Sequence, residues 1–251
     1  MTKAEFYTKE LKNLSEWDLY LKQNSGLPGP RANLELLQAV CDLGTEELFN
    51  RYIKYDESAA PVSSPEEFLS VCGVAGLGKL AAEGKERYYA VLGRYAADSR
   101  WRIREAVAIA LQYAGDRDWD SLFKNVESWK QGNLLEQRAL IAALCEPRLL
   151  KIRERAARVL EILDHVTKGV ESITDRKRDS FAVLKKGLAY CWSVAAVEYP
   201  EKGKELIEKW AESSDKDIRW IIRENLKKNR LIKMDRQWVD EVKYKLSDNH
   251  V

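Results

Sequence analysis

The chain has 251 residues, 45% of them apolar and 33% charged, with a net charge of +2. That is enough apolar material for a sizeable core and more charge than an average globular protein carries. The near-neutral balance argues against a protein built mainly to coat nucleic acid, and the lack of any long apolar run argues against a membrane-spanning helix.

In chain order, residues 4–23 place Phe6, Tyr7, Leu11, Leu14, Trp17 and Leu21 near helical spacing and predict one amphipathic helix. Ser25, Gly26, Leu27, Pro28, Gly29 and Pro30 stop it, and Pro30 stands at or just before the first turn of a helix over 31–43. Gly44 ends that helix. Thr45 can cap the next, over 45–55, although Leu48 stands where a capping box needs Glu or Gln. Residues 56–64 form a loop. Ser64 and Glu67 have capping-box spacing, and the helix they open runs to about residue 82. The glycines Gly73, Gly76 and Gly78 inside it lack the spacing of a phosphate-binding loop and mark tight helix contact instead. Paired helices follow at 86–96 with 99–114, 117–130 with 133–145, 148–166 with 178–198, and 201–213 with 215–230. A helix over 235–247, apolar on one side and charged on the other, suits a terminal cap. Nothing alternates with period two, so no strand is expected.

One pattern recurs. Asp98, Trp101, Ile103, Arg104 and Glu105 match Asp217, Trp220, Ile222, Arg223 and Glu224 at an offset of 119 residues, and Asp179, Leu184 and Lys185 form a weaker copy. The basic position repeats at Arg104, Arg138, Lys185 and Arg223, with gaps of 34, 47 and 38 residues. In the copy around Arg138, Gly132 stands at the Asp position and Gln137 at the aliphatic one, so that copy departs. Asp, an aliphatic residue five positions on, a basic residue and then small residues resembles the second-helix signature of HEAT-like repeats. The likeness covers residues 98–231. It implies an all-α, right-handed α-α superhelix of about five helix pairs with N- and C-terminal helices, forming a single domain over 1–251 whose clearest repeats lie at 86–231. Its physics is structural. Asp98, Asp179 and Asp217 are expected at helix N-caps, and Arg104, Arg138, Lys185 and Arg223 are expected to reach the Asp of the adjacent repeat. Trp101 and Trp220, sharing one repeat position, are expected to pack between helices, and Trp192 to lie in the core.

The N-terminus lacks a signal-peptide core, which leads to the expectation of a cytoplasmic protein. Cys41, Cys72, Cys145 and Cys191 are far apart in apolar stretches and read as buried free thiols. His165 and His250 have no zinc-ligand spacing, so neither a metal nor a cofactor is expected. Charge is uneven: residues 1–70 hold 7 basic and 12 acidic side chains, and residues 148–186 hold 11 basic and 6 acidic. Lys151, Arg155 and Arg158 share a helix face, and with Arg176, Lys177 and Arg178 they form the candidate binding surface for phosphate or an acidic protein. Arg153 points elsewhere.

HEAT-like repeats also build alkylpurine DNA glycosylases, in which a Trp-Asp pair and a further Asp lie beside aromatic residues in a basic cleft. Trp119 and Asp120 match the start of that motif, which would make Asp120 a carboxylate stabilising a cationic sugar. The further Asp is replaced by Phe123. The same stretch also reads as the acidic first turn of a helix. The reading carried forward is a non-enzymatic binding scaffold that takes a protein or peptide on its concave face, with a nucleic-acid-binding protein as the alternative.

Overall fold

Polar residues 13, 15 and 16 interrupt what apolar spacing alone reads as one helix. In the computed structural model, which describes residues 1–248, α1 spans Lys3–Lys12 and α2 spans Asp18–Asn24. Thr2 and Glu5 close a reciprocal capping box on α1. The continuous helix expected over 4–23 is thus corrected to two. The turn between them is fixed by the Trp17 indole, which donates to the Leu11 carbonyl at 3.0 Å. Helix α3 (Leu34–Leu43) starts at Asn33, whose side chain accepts from Leu36 N, so the Gly-Pro segment stays a loop. Thr45 caps α4 (Glu46–Tyr52) without a box partner. Then come α5 (Glu67–Ala82), α6 (Arg87–Tyr95), α7 (Trp101–Arg117) and α8 (Trp119–Val126).

A 3-10 turn, Glu127–Gln131, precedes α9 (Leu134–Leu144), which Asn133 and Glu136 close with a full capping box. After a second 3-10 turn at Pro147–Leu150 come α10 (Arg153–Val170), α11 (Asp179–Glu198), α12 (Pro200–Ala211) and α13 (Lys216–Leu226). The helix expected over 215–230 ends early, and α14 (Asn229–Met234) and α15 (Arg236–Asp248) complete the described chain. No strand occurs among the described residues.

The chain divides into two compact units, Met1–Asn125 and Val126–Val251. In the first, α5 is the central helix, with α7, α4, α3 and α6 packed around it. Its glycines make that closeness sterically feasible. A Cβ on Gly76 would stand 2.2 Å from the Phe49 ring, and one on Gly78 2.1 Å from the Ala110 carbonyl oxygen. In the second, α11 takes the central place against α13, α9, α10 and α12, with Trp192 fully enclosed.

The four cysteines are buried free thiols. Burial pushes the Cys41 thiol up to about 12, which keeps it protonated and unreactive at neutral pH. His165 is exposed, and His250 lies outside the described residues. No helix among the described residues is long and apolar enough to cross a membrane, and no cluster of three His, Cys, Asp or Glu side chains there could hold a metal.

Candidate functional site

The first unit concentrates its irregular backbone around one buried charge. Arg102, in the first turn of α7, is almost fully enclosed. Its Nη1 donates to Ser63 Oγ at 3.0 Å and to Glu67 Oε2 at 3.1 Å, and its Nη2 donates to the Gly29 carbonyl at 2.7 Å. One guanidinium therefore ties three separate pieces of chain: the Gly-Pro loop, the turn before α5, and α5 itself. Glu67 is completely buried and also accepts from Ser63 N at 2.8 Å. That contact holds Ser63 at φ 66°, a left-handed conformation that a non-glycine residue adopts at a cost. Ser64 Oγ accepts from Glu67 N at 3.2 Å, but the Glu67 carboxylate turns toward Ser63 and Arg102 instead of completing the expected box. Two atoms of the pair, Glu67 Oε1 and Arg102 Nε, are buried without a hydrogen-bond partner. Unsatisfied buried polar atoms cost about 1–3 kcal/mol each, so the pair that ties this loop is held at a local energetic cost.

The loop itself is closely fitted. Gly26 adopts φ 76°, and a Cβ on Gly29 would stand 2.3 Å from the Gly26 carbonyl oxygen. Ser25 Oγ accepts from Leu27 N at 3.0 Å, and Asn33 Nδ2 donates to Tyr7 Oη and to the Asn24 carbonyl, both at 2.9 Å. Against this loop lies a cavity of about 320 Å³, walled by Pro30, Leu34, Val71, Trp101, Ala106 and Ile109, with Arg31, Arg102 and Glu105 also on its lining. Two of its walls are large apolar side chains left in water, Leu34 at 56% exposure and Trp101 at 45%. The Arg102 guanidinium lies 4.4 Å from the Trp101 ring centroid and fixes the indole from one side. Arg31 is exposed and has no ion pair among the described residues.

Trp101 was expected between helices, and its exposure corrects that. Its repeat counterpart Trp220 is half-buried, with Lys185 Nζ 4.3 Å from its ring centroid. The acid positions are corrected too. Asp215, not Asp217, caps α13, accepting from Asp217 N at 2.8 Å and Ile218 N at 3.3 Å. Asp98 lies ahead of the α7 N-cap, where it chelates Arg100 through Nε and Nη2, both at 3.0 Å. Asp179 is the first residue of α11 and its cap is Arg178. The basic positions diverge likewise. Lys185 Nζ meets Asp217 Oδ1 at 2.6 Å, linking α11 to α13. Arg104 donates to carbonyls of its own chain segment, Asp98 O at 2.6 Å and Ser99 O at 2.7 Å. Arg138 lies half-buried in α9 with its Cγ 3.6 Å from where a Gly187 Cβ would be, and Arg223 has no ion pair among the described residues.

The expected basic surface is largely committed to ion pairs. Lys151 pairs with Glu198 at 2.6 Å, Arg178 with Asp175 at 2.7 Å, and Arg153 reaches Glu201 while stacking on Tyr199. Arg155 and Arg158 lie half-buried along α10, and Lys177 is exposed. Arg176 is structural. Its Nε donates to Ile173 O, Nη1 to Asp215 and Asp217, and Nη2 to Val170 O and Asp215, so all five N–H groups are used. Trp119 is buried against Phe123, ring centroids 5.9 Å apart, while Asp120 is exposed. The indole is thus turned into the core.

The Arg176 network has a pH consequence. Hydrogen bonds from Arg176 hold Asp215 below the ordinary carboxylate range. Burial alone would raise Asp217, but Lys185 and Arg176 outweigh it and lower it as well. Carboxylates depressed in the folded state stabilise it above their unfolded value of about 3.9, and that contribution is lost as pH falls through the lower folded values. The denaturation midpoint should therefore hold from pH 7 to about 5 and fall below about pH 4. Asp217→Asn should be less stable at pH 7 and lose less between pH 5 and 3; an acid slope unchanged by the substitution would locate the sensitivity in other carboxylates.

No family model matches the chain, and no curated protein or solved structure is similar enough to it to count as a match.

Proposed function

We propose that the chain is a non-enzymatic, HEAT-like helical-repeat scaffold, a right-handed α-α superhelix, that binds a protein or peptide through the cavity beside Trp101. The carrying observation is the pair of exposed apolar walls, Leu34 at the start of α3 and Trp101 at the start of α7, beside a loop that the buried Arg102 ties down through the Gly29 carbonyl. Exposed apolar surface bordering a concavity is covered by binding, and a pre-organised wall lowers the ordering cost. The occupant that fits is a peptide segment offering one bulky apolar side chain to the indole and a neighbouring carboxylate to Arg31, which has no ion pair of its own. The recurring Asp-to-base offset, realised as the Lys185 and Asp217 contact between α11 and α13, supports the repeat reading.

Selection of random peptides on the immobilised protein tests this. Enriched sequences should carry an apolar residue flanked by acid. Trp101→Ala should weaken their binding about tenfold or more while changing stability by less than about 1 kcal/mol, because the ring is already half in water. Peptides that bind the variant equally well would move the site elsewhere, and failure to enrich any sequence would end the proposal.

A further inference from the structure

A second cavity, wholly within the other unit, carries a different chemistry and does not rest on the peptide reading. It measures about 510 Å³ and is lined by Thr174, Lys177, Phe181, Lys185, Lys216 and Asp217, among others. Its floor is electrically closed. Arg176 and Lys185 are matched by Asp215 and Asp217, and at the rim Asp175 is matched by Arg178. Two lining charges are left over. Lys177 and Lys216 are exposed, and neither ammonium has a hydrogen bond or ion pair among the described residues. They come from separate places in the chain, the loop before α11 and the first residue of α13. Lys185 adds a third ammonium, which spends one bond on Asp217 and keeps donors in reserve.

The folded state gains nothing evident from this arrangement. Like charges gathered on one concavity repel, and Lys216, the first residue of α13, opposes the helix dipole where an acid would stabilise. A local conflict of this kind points to a bound counter-charge. The Asp217 carboxylate does not oppose it, because Lys185 and Arg176 occupy both its oxygens.

We infer that this cavity binds a multiply charged phosphate group, with Lys177, Lys185 and Lys216 as its cationic ligands and the Arg176 network as the rigid floor beneath. Phe181 and Ala182 supply an apolar part of the wall, so the phosphate can belong to a bare polyanion or to a small organic phosphate.

Calorimetric titration of the full chain with inorganic pyrophosphate and, separately, with ADP at about 50 mM salt tests the inference. At least one of the two should bind saturably, and the affinity should fall as salt rises. The Lys177→Gln/Lys216→Gln double variant should lose about tenfold or more in affinity, since two exposed charges are removed from the ligand's immediate surroundings. Both side chains stand in water and their removal relieves mutual repulsion, so the variant should melt no lower than the parent, and this is measured alongside. Tighter binding of ADP would identify an organic phosphate using the apolar wall; equal binding would identify the phosphate group alone. No saturable heat with either solute, or undiminished affinity in the folded double variant, would overturn the assignment.

Discussion

Arg102→Ala should destabilise the protein by about 3–5 kcal/mol, the usual penalty for removing one partner of a buried ion pair. The magnitude follows from what is left behind. Glu67 has no exposed surface, and without Arg102 its carboxylate would keep only the Ser63 N–H as a donor. The Gly29 carbonyl would lose its 2.7 Å donor at the same time, freeing the loop that walls the cavity. Urea denaturation monitored by circular dichroism measures the loss. The double variant Glu67→Leu/Arg102→Met should recover much of it, because an apolar pair of similar volume avoids the desolvation penalty. Peptide binding should not recover with it, since the loop is still unpinned. A single-variant loss under about 1 kcal/mol would mean that solvent reaches the pair and that the loop is held by other contacts.

Helices were far more legible than sites. Period-3.6 spacing placed the helical stretches, and capping chemistry gave the start at Thr45, whereas α5 begins at Glu67, three residues after the Ser64 the spacing pointed to. Misread boundaries came where a side chain beyond the local window decided the matter, as with the Trp17 indole reaching back to Leu11. Spacing alone could not tell that Asp215 caps α13 while Asp217 accepts from two cations, because acids two residues apart satisfy the same pattern. The basic run was visible as charge but not as paired charge. Glu198 and Asp215, which neutralise Lys151 and Arg176, lie dozens of residues further along the chain. Nor did any local signal mark Arg102 as buried. It sits in a run of alternating arginines, and its partners Gly29, Ser63 and Glu67 come from elements brought together only by packing α5 against α7. The Gly-Pro loop was readable as a break, but its role as a cavity wall depends on those long-range bonds.

The core position of Trp192, unlike that of Trp101, was readable, and Trp192 carries the second large expectation. It lies at the centre of α11 with no solvent exposure. Its indole N–H donates to Thr167 Oγ1 at 3.0 Å, and Thr167 is itself fully enclosed. Trp192→Ala should cost about 3–5 kcal/mol, through lost burial and the void left between α10 and α11. Trp192→Phe separates the two contributions. It refills much of the volume but takes away the only donor shown for the Thr167 hydroxyl, so it should cost about 1–3 kcal/mol. Adding Thr167→Val to Trp192→Phe removes the stranded hydroxyl with little change in shape and should restore part of that loss. If the double variant is instead as unstable as the sum of the single ones, the hydrogen bond contributes nothing measurable and the ring acts through packing alone.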